Sequence, residues 1–110
     1  MPHCVVEHSI NLDSNLLIES VFQGALNSGL FEPDGSDIKV RALGYSSYMT
    51  GLRKTDFIHV ALKILSGRTS EQKLSLSNAV IKELVALAFN DVSITVEVVD
   101  IDRSSYRKVS

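Results

Sequence analysis

Apolar and polar positions along the chain fall into two blocks of the same order: an alternating run, a stretch at helical spacing, and a second alternating run. Residues 3–9 (HCVVEHS) alternate and read as a strand. Asp13 and Ser14 are residues that cap helices, because a short side-chain oxygen satisfies an orphan amide of the first turn. Leu17, Val21, Ala25 and Leu26, with Leu16 and Phe22, then recur at helical spacing to about Asn27, and Gly29 ends that helix. Residues 31–36 (FEPDGS) have loop chemistry, and residues 38–43 (IKVRAL) begin a second strand before residues 44–51 turn polar and aromatic. Residues 56–65 (DFIHVALKIL) give the strongest strand pattern, apolar on both faces apart from His59 and Lys63. Thr69 then caps a second helix, with Gln72 three residues on completing a capping box. Leu74, Val80, Ile81, Leu84, Val85, Leu87 and Ala88 predict one heavily buried side for it. Asn90-Asp91 breaks the helix, and residues 92–99 (VSITVEVV) form the last long strand. Residues 100–110 are polar and predict a short arm or frayed tail.

The order is two consecutive β-α-β units, in which a crossover helix returns the chain to a parallel strand. Residues 1–110 therefore predict a single α/β domain, a two-layer sandwich with a four-stranded sheet and two helices on one face. Residues 57–65 and 92–99 are apolar at both parities, so the sheet face away from the helices is predicted to be apolar too. An apolar face of that kind needs a partner, and an oligomer is expected.

Bulk composition narrows the function without choosing it. A chain of 110 residues with 45% hydrophobic and 22% charged residues suits one modest core. Net charge is −2 with no block of like charge, which argues against nucleic acid and anionic membranes as partners. No apolar run approaches the roughly 20 residues of a membrane span, and no cationic leader precedes the first strand, so a cytoplasmic protein is expected. The single cysteine, Cys4, rules out an intrachain disulfide and alternates as a small buried residue. His3, Glu7 and His59 lack the spacing of metal ligands, and His59 reads as a structural histidine in mid-strand. Tyr45, Tyr48 and Met49 suit a pocket wall or a subunit contact equally.

The most informative residues stand at the start. Met1 before Pro2 is a pairing from which methionine is normally trimmed, and trimming leaves a proline with a free secondary amine, anchored by the strand that follows. An ordinary α-amine titrates at about 7.7–8.0. Nearby cations or burial lower that value, since both disfavour the charged form. A neutral, fixed amine can take up a proton and return it.

Pro2-His3-Cys4-Val5-Val6-Glu7 resembles the amino terminus of 5-carboxymethyl-2-hydroxymuconate isomerases, and residues 57–68 (FIHVALKILSGR) resemble the third strand of those enzymes and the turn after it. Residues 67–73 (GRTSEQK) are also similar to the strand-to-helix turn of 4-oxalocrotonate tautomerases. Gly29-Leu30-Phe31 and Ile38-Lys39-Val40-Arg41-Ala42 extend the likeness over nearly the whole chain. These enzymes form one superfamily, the tautomerases with an amino-terminal proline. The resemblance implies two β-α-β units assembled as a trimer, and keto–enol tautomerisation of an unsaturated 2-hydroxy di- or tricarboxylate. Such anionic dienols arise after ring opening of aromatics such as homoprotocatechuate. No cofactor or metal is implied. It assigns Pro2 the proton-shuttling role and Arg68 the binding of a substrate carboxylate or 2-oxo group. The second cationic position, an arginine in the family, falls on Lys39 with Arg41 two residues on, and either can face the pocket. Lysine lacks the planar two-pronged grip of arginine on a carboxylate. Two alternatives stand beside this reading: a non-catalytic trimeric member or small-ligand-binding module on the same frame, and a broad phenylpyruvate-type tautomerase.

Overall fold

The computed structural model describes residues 1–110 throughout and has the expected order of elements. They are β1 (His3–Ser9), α1 (Ser14–Asn27), β2 (Lys39–Tyr45), β3 (Asp56–Leu65), α2 (Ser70–Val85) and β4 (Val92–Ile101). Both helices start where side-chain oxygens replace missing backbone partners. Asp13 accepts from the amides of Asn15 and Leu16, and Thr69 and Gln72 make a complete capping box. The strands form one sheet in the order β2-β1-β3-β4. Within each β-α-β unit the strands are parallel, β1 with β2 and β3 with β4, whereas the two central strands run antiparallel. The starts of β1 and β2 and the ends of β3 and β4 therefore share one end of the sheet.

The core is the layer between sheet and helices. Cys4 and Val6 of β1 and Ile58, Val60, Leu62 and Ile64 of β3 alternate toward α1 and α2, which contribute Leu17, Val21, Ala25, Leu76, Val80 and Leu84. Each large aliphatic side chain so buried contributes about 1.5–3 kcal/mol, so the central strands and the facing helix stripes hold the fold. The helices touch most closely at Gly24, where an added Cβ would stand 2.6 Å from Val80 Cα. The one buried histidine, His8, is tied down at both nitrogens, to the Ser9 carbonyl (2.7 Å) and the Ser14 hydroxyl (2.9 Å), which fastens β1 to the first turn of α1.

Four expectations are corrected. On α2 the buried stripe is Leu76, Val80 and Leu84; Leu74 and Val85 are exposed, and Ala88 lies beyond the helix at a positive φ. The strand β2 begins at Lys39 and continues through Gly44 and Tyr45, because β1 beside it supplies backbone partners as far as Ser9. The strand β4 runs to Ile101, and the segment after it is pinned: Ser66 N–H donates to the Ile101 carbonyl (3.0 Å), and Arg103 Nε donates to the Ser66 carbonyl (3.0 Å).

The fourth correction concerns the open sheet face. Its rows carry Lys39, Arg41 and Leu43 on β2; His3, Val5 and Glu7 on β1; Phe57, His59, Ala61 and Lys63 on β3; and Thr95, Glu97 and Val99 on β4. That surface is charged and hydrogen-bonded, not apolar. Tyr45 donates to Glu7 Oε2 at 2.6 Å, which holds the phenol pKa above its ordinary value. His59 is satisfied on both sides, by Thr95 Oγ1 (2.7 Å) and by the Glu97 carboxylate. The apolar residues of both parities in β3 and β4 are diluted here by charge on the neighbouring rows.

Candidate functional site

The shared end of the sheet gathers the residues marked by the sequence. Pro2 precedes β1 and is fully buried on the helix side, in line with Cys4 and Val6, and its carbonyl accepts from the Lys39 amide (3.1 Å). Arg68 arrives from the end of β3. Gly67 before it has φ +120°, a backbone state that side-chain-bearing residues rarely adopt, and this sharp turn delivers Arg68 to the threshold of α2. The guanidinium is half-buried, donates from Nη2 to the Leu30 carbonyl at 2.7 Å, and lies 5.9 Å from the centre of the Phe31 ring. The capping box occupies the Gln72 amide, so the α2 terminus offers its dipole and fewer free donors than an uncapped helix.

Lys39 and Arg41 share the open face, opposite to the side on which Pro2 is buried. Lys39 Nζ lies 3.8 Å from Met1 Sδ, whereas Arg41 Nη1 lies 3.2 Å from His3 Nδ1. Lys39 therefore reaches the chain terminus and Arg41 engages the next residue along β1. His3 is held below the ordinary histidine range, first by burial and then by the charges of Arg41, Lys39, the terminal ammonium and Lys63. The Cys4 thiol is pushed up to about 12 by burial, which removes it as a nucleophile.

Met1 covers this region. Its ammonium lies 3.6 Å from Asp37 Oδ2, and its sulfur accepts from the Tyr106 hydroxyl at 2.9 Å. With Met1 attached, the Pro2 nitrogen is an amide and has no basicity. Pattern reading missed both Asp37 and Tyr106. The available signal for Tyr106 was a lone aromatic within a polar segment, which needs a surface to pack on; Asp37 offered none.

Neither surface depression of the molecule contains the four sequence-marked residues. The larger, about 520 Å³, lies at the opposite end around Thr50, Arg53, Phe89 and Asp91, with Arg53 and Asp91 paired to each other at 3.2 Å. The other is on the helix layer between Asn27 and Lys82. Tyr45 and Tyr48 pack around Phe57 at that opposite end, and Met49 is exposed, so none of these three walls the Pro2 region within one chain. No three His, Cys, Asp or Glu side chains converge as metal ligands would. No helix is long and apolar enough to cross a membrane.

Comparison with known proteins adds to this geometry. A family model described as 5-carboxymethyl-2-hydroxymuconate isomerase matches residues 2–109. Among solved structures, a 5-carboxymethyl-2-hydroxymuconate isomerase from Deinococcus radiodurans R1 superposes with a TM-score of 0.74 at 24% identity, covering 98% of this chain and 88% of that one. A protein inactivated by 2-oxo-3-pentynoate gives a TM-score of 0.78 at 16% identity, covering 94% of this chain and 89% of that one. A fused 4-OT wild-type asymmetric trimer gives 0.76 at 17% identity, covering 96% and 91%. At these identities the likeness establishes a common fold. No match was found among curated proteins.

Proposed function

The chain belongs to the 5-carboxymethyl-2-hydroxymuconate isomerase family and is an isomerase, and from that premise we propose that Pro2, freed by removal of Met1, is its base and acid. The substrate is an unsaturated 2-hydroxy di- or tricarboxylate of aromatic catabolism, whose enol proton is moved to a distant carbon of the conjugated system. The observation that carries this reading is the burial of Pro2 at the one sheet end where Arg68 and Lys39 also arrive. Burial and nearby cations both favour a neutral amine, and a neutral amine abstracts a proton and then delivers it. Arg68 is assigned the negative charge that develops on the 2-oxygen and the carboxylates, with the α2 dipole adding to it. Lys39 and Arg41 are assigned the second substrate carboxylate.

Assembly as a homotrimer is part of the proposal. The superposition on a fused 4-OT trimer supports it, and the charged open face fits a contact made by ion pairs and hydrogen bonds. The absence of a depression at Pro2 in a single chain leaves the pocket walls to be supplied by removal of Met1 and by neighbouring subunits.

Intact mass and covalent labelling test the central step. The purified protein is expected to lack Met1, to add one molecule of 2-oxo-3-pentynoate at the Pro2 nitrogen, and to turn over 2-hydroxymuconate or phenylenolpyruvate in an ultraviolet assay. The ratio of rates on dicarboxylate and monocarboxylate enols then separates a dedicated dicarboxylate isomerase from a phenylpyruvate-type tautomerase. Retention of Met1 on protein with full activity would overturn Pro2 as the base.

A further inference from the structure

The segment after β4 presents one ordered aromatic. Asp102 accepts from the Ser104 amide (3.2 Å) and hydroxyl (2.9 Å) and, through its backbone carbonyl, from the Tyr106 amide (3.1 Å), a turn that lays Tyr106 back across the start of β1. The Tyr106 ring meets His3 edge-on, with centroids 6.0 Å apart. Its oxygen lies 2.9 Å from His3 Nε2 and 2.9 Å from Met1 Sδ.

Donor and acceptor inventory fixes the direction of every proton here. Arginine carries donors only, so Arg41 Nη1 at 3.2 Å makes His3 Nδ1 an acceptor. The imidazole is then neutral, with its single proton on Nε2, and that proton goes to the Tyr106 oxygen. The phenolic proton is left to point at Met1 Sδ. A thioether is a weak acceptor. The relay from Arg41 through His3 to Tyr106 therefore ends in a strong donor, aligned and weakly used, at the residue whose loss would free the Pro2 nitrogen. The lowered pKa of His3 agrees with its neutral form.

We infer that the Tyr106 hydroxyl is a further substrate-contacting group, donating to an anionic oxygen of the dienol beside Pro2, with His3 and Arg41 as positioning residues that aim it. This inference rests on the proposal that Pro2 is the base after Met1 is lost. The C-terminal segment thereby belongs to the pocket, and its turn at Asp102 and its tie from Arg103 to Ser66 hold the donor in place.

The test is a double-mutant cycle in the Met1-free enzyme, with intact mass and thermal melting run on each variant. Tyr106→Phe keeps the ring and removes only the hydroxyl, and kcat/KM is expected to fall between about tenfold and a hundredfold, the range for one donor in a partly desolvated site. A fall in kcat places the accepting oxygen where charge develops; a rise in KM places it on a carboxylate. His3→Leu is expected to lower kcat/KM less, and to cost nothing further in the Tyr106→Phe background. Wild-type turnover with an unchanged Tyr106→Phe overturns the inference and leaves Pro2 as the base. Losses that add in full overturn the relay from His3. A wild-type protein with neither turnover nor labelling of Pro2 removes the proposed function first and this inference with it.

Discussion

Replacing Arg68 by alanine separates the structural role that its position gives the guanidinium from the electrostatic role proposed for it. The first is structural: Nη2 donates to the Leu30 carbonyl at 2.7 Å, and the group lies 5.9 Å from the Phe31 ring centre. A bond from a charged donor contributes about 1.5–3 kcal/mol, and a cation on an aromatic face about 0.5–1 kcal/mol at an exposed site. Arg68 is only half-buried, so water recovers part of both terms, and the low ends of the ranges together give a loss of about 2 kcal/mol. In a domain of this size that lowers Tm by roughly 8–12 °C. The proposed role is electrostatic: a donor facing developing charge is worth about 2.7–4 kcal/mol, or about a hundredfold to a thousandfold in turnover. The two are separable at 25 °C, because a loss of about 2 kcal/mol from the usual 5–15 kcal/mol leaves the protein folded. Turnover of 2-hydroxymuconate at that temperature, paired with a melt by circular dichroism, reads both. Arg68→Lys keeps the charge without the fork and should recover only part of kcat/KM. An Arg68→Ala protein that melts early yet works within about twofold of wild type would reduce Arg68 to a loop strut and refute the electrostatic argument.

Two further outcomes follow from the packing and the charges. Gly24→Ala gains about 1 kcal/mol of helix propensity but drives a Cβ to 2.6 Å from Val80 Cα and 2.9 Å from the Ala79 carbonyl. Both obstacles are backbone, so the overpacking term wins and a net loss of about 1–2 kcal/mol is expected in urea unfolding; a higher urea midpoint would show that the helices can part freely. His3 titrates below 6.5 in the native chain, so the unfolded chain holds its proton more tightly. Its contribution to stability is therefore present above pH 6.5 and lost as the pH falls through the lower native value. His3→Gln should flatten the pH dependence of the unfolding midpoint between pH 7.5 and 5, and parallel curves for the two proteins would contradict the assignment.

The fold was legible because period and burial coincide along most of the chain. Leu17, Val21 and Ala25 sit at helical spacing and are buried; Cys4 and Val6, and Ile58, Val60, Leu62 and Ile64, alternate and are buried. The reading failed where apolar residues occur at every phase. On α2, Leu74 and Val85 are as apolar as Leu76 and Leu84, and only the direction from which the sheet approaches decides which pair is covered. The open face failed for a related reason. Phe57 and Ala61 on β3 and Val99 on β4 suggested an apolar surface, but its character is set by their cross-strand neighbours, Glu7, Lys63 and Glu97, and register is not written in any one strand.

The candidate site was half legible as an arrangement of residues, and the half that was missed bears on the proposed chemistry. Pro2 and Arg68 are marked by local motifs, whereas Asp37 and Tyr106 meet Met1 only through the folded chain. Asp37 raises a question of sign, since a carboxylate beside the chain terminus favours a charged amine while Lys39, Arg41 and Lys63 favour a neutral one. His3, the residue next to Pro2, faces those cations from the open side of the sheet. Every cause acting on its ring lowers its pKa: burial leads, Arg41, Lys39, the terminal ammonium and Lys63 follow, and no carboxylate offsets them. Asp37 opposes them at the terminus itself, one oxygen accepting from the Glu32 amide at 3.1 Å and the other lying 3.6 Å from the ammonium of Met1. The charges acting on His3, one residue from Pro2, are thus net positive. On the proposed function, a Pro2 amine freed at that position stands among charges that favour its neutral form, and the cations proposed to bind the substrate carboxylates are the ones that would keep it free of its proton.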